Sequence, residues 1–540
     1  MPKFKIITLG CKVNQAESEA IANRLTAAYW SPAGADEAAE LCIVNTCAVT
    51  QRAGVQSRQA LRRTIQENPG ARVAATGCYA ATDPQALAKI DGLACIVCPK
   101  DKMRLPEVLT ASGGTEGSLW ERLPASMASR QDAAPPKKAA TPSETSDQTH
   151  GRLPEDEGDR ARSSLPPPLA NGAGVHSYPN AAAVFPPLQK GARGILFPTP
   201  SDGFPPLAKG AGGISNSKTS MTFPPLKKGD RGISATAAAA LPPAGSRTRP
   251  FVKVQDGCNA FCAYCIVPYA RGPSRSVAFQ AVLDGVSRLS DQGYQEAVLT
   301  GIHLGAYGRD LKPRTSLAEL LRAILERPDA IRMRLSSIEP LELTDEIIDL
   351  AADSERICRH FHVPLQSGDA QILERMGRPY SPEDYGGRIA RIRSRLPEAA
   401  IGADVLLGFP GETEADFANT LAFVEALPLT YLHVFPFSAR PGTAAWGLGD
   451  RVPAESIRQR CSRMRQLGGR MRLAFHRRFL GRRVRVLVEG RRDPQTGLLK
   501  GVSSNYLPVL FEGGDDRIQR WAEVHIVAAD AVRLRGTPAD

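Results

Sequence analysis

Cys258-Asn-Ala-Phe-Cys262-Ala-Tyr-Cys265 sets three cysteines at C-x-x-x-C-x-x-C spacing. Three thiolates so placed can hold three irons of a cubane iron-sulfur cluster and leave the fourth iron free. A metal with an unfilled position binds a substrate or cofactor, so the spacing points to chemistry more than to electron storage. The competing ligand chemistry is a zinc knuckle, but zinc takes four ligands in paired spacings and no fourth Cys or His follows closely. Just upstream, residues 251–257 read as a strand ending in a turn. The triplet therefore belongs at the C-terminal end of a first strand, where the active sites of barrel folds lie.

Downstream of that strand, strand-like and helix-like stretches keep alternating. Strands are expected at 251–257, 297–301, 332–337, 360–366, 401–408 and 431–437, with helices at 279–292, 316–326, 344–352, 381–395 and 413–427 between them. Six βα units over 250–475 imply a parallel sheet curled into a partial (βα)6 barrel, short of the eight that close one and open on one side to a large substrate. Polar residues end these strands on the face that holds the triplet. Thr300, Gly301, Ser337, Glu339 and Gln366, with Tyr264 inside the triplet itself, are the candidate cofactor contacts. Ordinary turn chemistry competes for several such positions, with Thr344 and Ser381 as helix N-caps and Pro382 at a first helical position.

Residues 1–111 show the same alternation on a smaller scale. Strands at 5–10, 41–46 and 72–76 and helices at 17–28 and 54–68 predict an open α/β sheet, whose ligands gather beyond the carboxyl ends of its strands. Each strand runs there into a cysteine: Cys11, Cys47 and Cys78. Distant in sequence but equivalent in topology, the three converge on one site and suggest a second three-ligand cluster; the plain alternative is three core cysteines. Cys42 lies within a strand and reads as a small core residue. Cys95-Ile-Val-Cys98 overlaps a fourth strand at 94–97 rather than a helix N-terminus, which argues against a redox pair.

Composition bounds the rest. A chain of 540 residues with 42% apolar content suggests about three domains. The N-terminus lacks a signal-peptide run, and no stretch approaches the ~20 apolar residues of a membrane span, so a cytoplasmic protein without membrane contact is expected. Eleven cysteines, an odd number, fit metal ligation better than disulfides. Between Arg451 and Arg492 fourteen arginines face only Glu455 and Glu489, an excess equal to the whole chain's net charge of +12. Such a block suits phosphate, or else coats a solvated helix; Arg458, Arg465, Arg472, Arg478, Arg482 and Arg483 are its candidate RNA contacts. Short β segments at 483–489, 501–502, 507–511 and 522–528 give residues 476–540 the look of a small barrel of the nucleic-acid-binding OB type.

The combination of Thr8-Leu-Gly-Cys-Lys-Val-Asn-Gln-Ala-Glu-Ser-Glu19, Val44-Asn-Thr-Cys47, Gly77-Cys78, the Cys258 triplet, Leu299-Thr-Gly-Ile-His-Leu-Gly-Ala-Tyr-Gly308 and Gly408-Phe-Pro-Gly-Glu-Thr413 resembles the radical S-adenosylmethionine methylthiotransferases. The opening Leu-Gly-Cys-Lys-Val-Asn is nearest to the branch that modifies N6-threonylcarbamoyladenosine beside the tRNA anticodon. By that resemblance Cys258, Cys262 and Cys265 hold the 4Fe-4S cluster that binds S-adenosylmethionine, and Cys11, Cys47 and Cys78 hold an auxiliary 4Fe-4S cluster. It further implies a C-terminal TRAM domain that binds the anticodon stem-loop, a flavodoxin- or ferredoxin-type electron donor and a monomer. Radical chemistry meets the demand of an inert aromatic C–H on adenine, and a base in an anticodon loop can be splayed from its stack into an open barrel. Relatives acting on isopentenyladenosine or on a ribosomal protein, and a non-enzymatic metal-bearing RNA-binding protein, are the competing readings.

The resemblance leaves out residues 112–249, where composition turns to Pro, Gly, Ser and Ala. Within them Phe185-Pro-Pro-Leu-Gln-Lys-Gly-Ala-Arg-Gly-Ile195 recurs at 204–214 and 223–233, three copies nineteen residues apart with no pattern able to bury a core. Replacing residues 112–249 by a short Gly/Ser linker is accordingly expected to leave activity nearly intact, measured as modified nucleoside and as iron content; loss of either would show that the segment is structural or recruits a partner.

Overall fold

The computed structural model describes residues 1–34, 37–99, 101–104, 247–328 and 331–539. The three repeats therefore lie outside the described residues. The N-terminal sheet has five parallel strands in the order Ser31–Pro32, Lys3–Thr8, Leu41–Thr46, Arg72–Gly77, Leu93–Ile96. Four were expected; the edge strand Ser31–Pro32 is too short to show any periodicity. Every residue of Leu41–Thr46 is buried, as befits the central strand of a parallel sheet covered on both faces. Helix Lys12–Ala27 starts directly at Cys11, and helix Gln51–Glu67 is capped by Thr50, whose side chain accepts from the Ala53 amide at 3.1 Å.

The central domain contains all six expected strands, Phe251–Asp256, Glu296–Gly301, Arg332–Leu335, His360–His362, Ala400–Leu407 and Tyr431–Pro436. Their ladder is not continuous. The first three pair in one sheet, extended by the antiparallel edge Arg275–Ser276, and the last three in another. Among the described residues the seam is crossed by the Met333–Ile357 bridge and by the Ile338 amide donating to His362 O at 3.0 Å. The fourth strand is three residues long and runs into Val363-Pro364, where proline removes a ladder donor. One apolar core nonetheless spans both halves, from Leu299 and Met333 through Ile348 and Ile389 to Val405. Thr344 and Ser381 are N-caps, as read, and Pro382 stands in the first turn. Reciprocal capping boxes fix Ser316 with Glu319, Ser381 with Asp384 and Thr413 with Asp416.

Helix Ala454–Arg477 packs along the last strand and runs two residues past the expected boundary at 475. It leads into a closed barrel of Arg483–Val488, Leu499–Ser503, Pro508–Phe511, Trp521–Ala529 and Leu534–Pro538. The fifth strand, Leu-Arg-Gly-Thr-Pro, carries a single large apolar residue and was not expected. In the first strand Arg483 and Arg485 point outward while Val484 and Val486 fill the interior. Among the described residues no helix is long and apolar enough to cross a membrane.

Buried charge seats this barrel on the central domain. Arg334 donates to the carbonyls of Ser503 at 2.9 Å and Ser504 at 3.0 Å, and its Nε lies 2.8 Å from Glu296, which is fully buried. Arg332 also pairs with Glu296 and lies 4.1 Å over the Trp521 ring. The end of the stretch read as an insertion belongs to this joint: Arg249 pairs with Glu489, and the Thr248 hydroxyl accepts from the Gly490 amide at 2.7 Å. A deletion that spares these contacts stops at Ser246. Before the stretch Lys102 pairs with Glu17, and after it Arg247 lies 2.7 Å from Glu19 of the same helix. Removing Arg334 leaves Glu296 short of a counter-charge, so Arg334→Ala is expected to cost about 3–5 kcal/mol. The check is a thermal melt, in which the double substitution Arg334→Met with Glu296→Gln should recover part of the loss.

Candidate active site

The triplet loop leaves strand Phe251–Asp256 through Gly257, at φ +72°, where a Cβ would lie 2.0 Å from the Pro273 carbonyl oxygen; only glycine fits. Backbone bonds then hold the loop on three sides: Cys258 N to Gly272 O at 3.1 Å, Ala263 N to Met376 O at 2.8 Å and Ala445 N to Ala263 O at 2.7 Å. The sulfurs meet donors. His303 Nδ1 lies 3.3 Å from Cys258 Sγ, the Ala260 amide donates to that sulfur at 3.4 Å, and Arg378 Nη1 donates to Cys262 Sγ at 3.3 Å. Burial pushes the Cys265 thiol up to about 12, and neighbouring Cys262 and Cys258 add to the rise. Burial also disfavours charge on His303, but its bonds to Cys258 and Glu342 prevail and lift it to about 10. The imidazolium thus bridges sulfur and carboxylate, with Nε2 2.8 Å from Glu342.

The second triplet forms as the strand topology required. Cys11 is the N-cap of its helix, Cys47 follows the central strand and Cys78 opens helix Cys78–Thr82. A Cβ on Gly10 would lie 2.9 Å from Cys47 Sγ, so the glycine at φ +95° is what lets the first turn come this close. Asn14 donates to Leu9 O at 2.7 Å and to Thr46 O at 3.0 Å, lashing two strand ends together beneath the sulfurs. Burial pushes Cys47 up to about 11, with Cys78 and Cys11 close enough to contribute.

One arginine joins the two triplets. Arg271 ends the helix Val267–Arg271 that follows the Cys258 loop, and its Nε donates to Cys78 Sγ at 3.2 Å. The rest of its fork takes Glu17 at 3.0 Å, Asp256 at 2.8 Å and the Asn14 side-chain oxygen. Glu17 is fully buried and also meets Lys253 at 2.6 Å and Lys102. Burial opposes its ionisation, yet Arg271, Lys102 and Lys253 hold the carboxyl at about 2. Arg271, Glu17, Asn14, His303 and Arg378 escaped sequence reasoning. The partners that matter to the sulfurs and to the domain joint lie tens to hundreds of residues away, and only the contiguous motifs around Cys11 and His303 hinted at them.

The residues expected to contact cofactor fall at strand ends or in the triplet loop. Tyr264 packs with Met376 and Phe409, and burial drives its hydroxyl well above the ordinary value. Glu339 pairs with Arg378, the donor to Cys262. Thr300 is buried, and a side chain on Gly301 would press Gln255 Oε1 at 3.0 Å. Ser337 Oγ lies 2.7 Å from His362 Nδ1, and Gln366 sits at φ +69° beside Asp404, whose carbonyl accepts from its amide at 2.8 Å. The arginines do not form one uncommitted stripe. Arg458 pairs with Glu455 and Arg482 with Glu398 at 2.7 Å, while Arg478 donates to Pro397 O at 2.9 Å. Arg465 donates to Val434 O at 3.3 Å, Arg472 lies 5.6 Å over the Tyr431 ring, and Arg483 is exposed on the barrel.

Residues 3–98 match the family described as Uncharacterized protein family UPF0004, and residues 252–424 match the Radical SAM superfamily. The two cysteine triplets fall one in each matched segment, which defines a radical S-adenosylmethionine enzyme with a second cysteine-bearing domain. Threonylcarbamoyladenosine tRNA methylthiotransferase MtaB of Bacillus subtilis is 29% identical over 97% of this chain and 93% of its own length. The tRNA-2-methylthio-N(6)-dimethylallyladenosine synthase of Acetivibrio thermocellus is 37% identical, over 53% of this chain and 60% of its own length. Among solved structures, the radical S-adenosylmethionine methyltransferase TsrM of Kitasatospora setae, with cobalamin and a 4Fe-4S cluster bound, aligns at a TM-score of 0.48 and 14% identity, covering 82% of this chain and 77% of that one. By its two matched segments and by relatives aligned along nearly its whole length, the chain is similar to the radical S-adenosylmethionine methylthiotransferases, those full-length relatives being of the MtaB type.

The cofactors of that family are 4Fe-4S clusters and S-adenosylmethionine, and the donor sets fit them. Each triplet presents three thiols with at least one cationic N–H aimed at sulfur, which favours thiolate and tunes a cluster. Thiols raised to about 11 and about 12 ionise readily only beside a metal. Anaerobic reconstitution should give about eight irons per chain, falling to about four when Cys258, Cys262 and Cys265 are all replaced by Ala. Colorimetric iron and sulfide analysis checks this, and zinc in place of iron in anaerobically purified protein would refute it.

Proposed function

We propose that the chain adds a methylthio group to the adenine ring of N6-threonylcarbamoyladenosine next to the tRNA anticodon, with Cys11, Cys47 and Cys78 holding the auxiliary cluster and Cys258, Cys262 and Cys265 the one that takes S-adenosylmethionine. The observation that carries the reading is the single arginine joining the two triplets: the Arg271 fork spans from Cys78 to Asp256 at the foot of the Cys258 loop. When bound, the clusters and S-adenosylmethionine supply the radical and sulfur-transfer chemistry that an unreactive aromatic C–H demands. The protein's own groups position and tune. Arg378 and His303 donate to sulfur; Tyr264, Thr300, Gly301, Ser337, Glu339 and Gln366 line the strand ends where the cofactor would lie. The base is supported by the MtaB relative, matched along nearly its whole length, whereas the dimethylallyladenosine relative matches over about half of this chain.

In this reading Arg458, Arg465, Arg472, Arg478, Arg482 and Arg483 meet tRNA phosphates. The existing pairs of Arg458 and Arg482 are at the surface and worth at most about 1 kcal/mol, so phosphate can displace their carboxylates. The reading extends to a cytoplasmic monomer that draws electrons from a flavodoxin- or ferredoxin-type donor, in keeping with the reductive start of this chemistry. The test is mass spectrometry of tRNA nucleosides from a deletion strain. Methylthio-threonylcarbamoyladenosine should vanish, and should return with the parent gene but not with Cys78→Ala. Loss of the methylthio-isopentenyl nucleoside instead would move the substrate to the other tRNA base.

A further inference from the structure

Three strands of the second half-sheet place His362, Asp404 and His433 on one face. His362 is in register with Gly402, and Asp404 with His433, so all three side chains project from the same side. The opposite side, bearing Phe361, Ala403 and Val405, is packed into the apolar core, which leaves the trio facing the barrel's interior. Gly402 lets the Tyr431 ring lie across the sheet beside the trio, since a Cβ there would strike that ring at 2.0 Å.

His362 Nε2 lies 3.2 Å and His433 Nδ1 3.3 Å from the same oxygen, Asp404 Oδ1, and the three donor atoms fall within 4.8 Å of one another. Both histidines thus converge on one carboxylate, which burial disfavours and the two imidazoles hold well below the usual carboxylate range. His362 is 8% exposed, and its Nε2 is buried with no hydrogen-bond partner, while its Nδ1 is fixed by Ser337 Oγ at 2.7 Å. Donors bound about 2.1 Å from one ion at tetrahedral or octahedral angles stand about 3.0–3.4 Å apart, which is the spacing of both nitrogens from the carboxylate oxygen. With Nδ1 engaged by the Ser337 hydroxyl, the ring is oriented and Nε2 is the nitrogen left to face a ligand.

We propose that His362, Asp404 and His433 bind a divalent transition-metal cation, separate from both cysteine triplets, with positions open to water or to an oxygen donor in the barrel interior. Two imidazoles and one carboxylate suit Zn²⁺, Fe²⁺ or Mn²⁺. The half-exposed His433 marks the open side.

The test uses the anaerobic full-length protein carrying its clusters, dialysed to equilibrium against micromolar Mn²⁺ or Zn²⁺ and analysed for metal and iron together. One equivalent of either ion beyond the cluster iron is expected in the parent. His433→Gln and Asp404→Asn should hold it at least tenfold more weakly at unchanged iron content. Should Asp404→Asn lose iron through misfolding, His433→Gln, altered at a half-exposed residue, decides alone. Retention of neither ion by the parent, or equal retention by parent and His433→Gln, overturns the site.

Discussion

Arg271 is the constraint on which the two cysteine domains depend. Its guanidinium is shared among a cysteine and two polar residues of the N-terminal domain and an aspartate of the central one, and almost none of it reaches water. Desolvating a guanidinium is expensive, so the arrangement holds only because Glu17 and Asp256 return the charge and Asn14 and Cys78 take the remaining N–H groups. Glu17 in turn is shared with Lys253 and Lys102, making the joint a closed set of charges rather than a single pair. A lysine could not substitute, because a point charge on a flexible stem cannot address four acceptors in fixed directions. Cluster geometry and domain geometry are therefore set by the same atoms.

The opposite end of the central domain uses a parallel device. Glu296 gathers Arg332 and Arg334, and Arg334 reaches on to the carbonyls of the small barrel. At each end a buried carboxylate organises arginines from another part of the chain. Apolar packing holds each domain internally, while directional hydrogen bonds to charged groups fix how the domains meet.

How far the sequence disclosed this depends on the range over which each feature is encoded. The Cys258 triplet, the helix caps at Thr344 and Ser381 and the six central strands are written within a few residues and were legible. The convergence of Cys11, Cys47 and Cys78 was legible for another reason: parallel topology forces equivalent strand ends together. Hidden features are those whose partners come from separate segments. Glu17 and Arg271 are 254 positions apart; His362, Asp404 and His433 come from three strands; and the seam between the third and fourth strands follows from a strand of three residues. The barrel's last strand was hidden because Leu534-Arg-Gly-Thr-Pro538 has no alternation to read, its place being held by pairing with Val509–Phe511 and with Val524–Ala529.

The anchoring of Lys102 to Glu17 and of Arg247 to Glu19 has a consequence for how such a chain can grow. The two points at which the backbone leaves and rejoins the described fold are tied to side chains only two positions apart on one helix. A connection whose ends are already held together adds little closure entropy as it lengthens, about 0.6 kcal/mol for each doubling of a flexible loop. The two cysteine-bearing domains can therefore stay in register as the chain carried between those points lengthens.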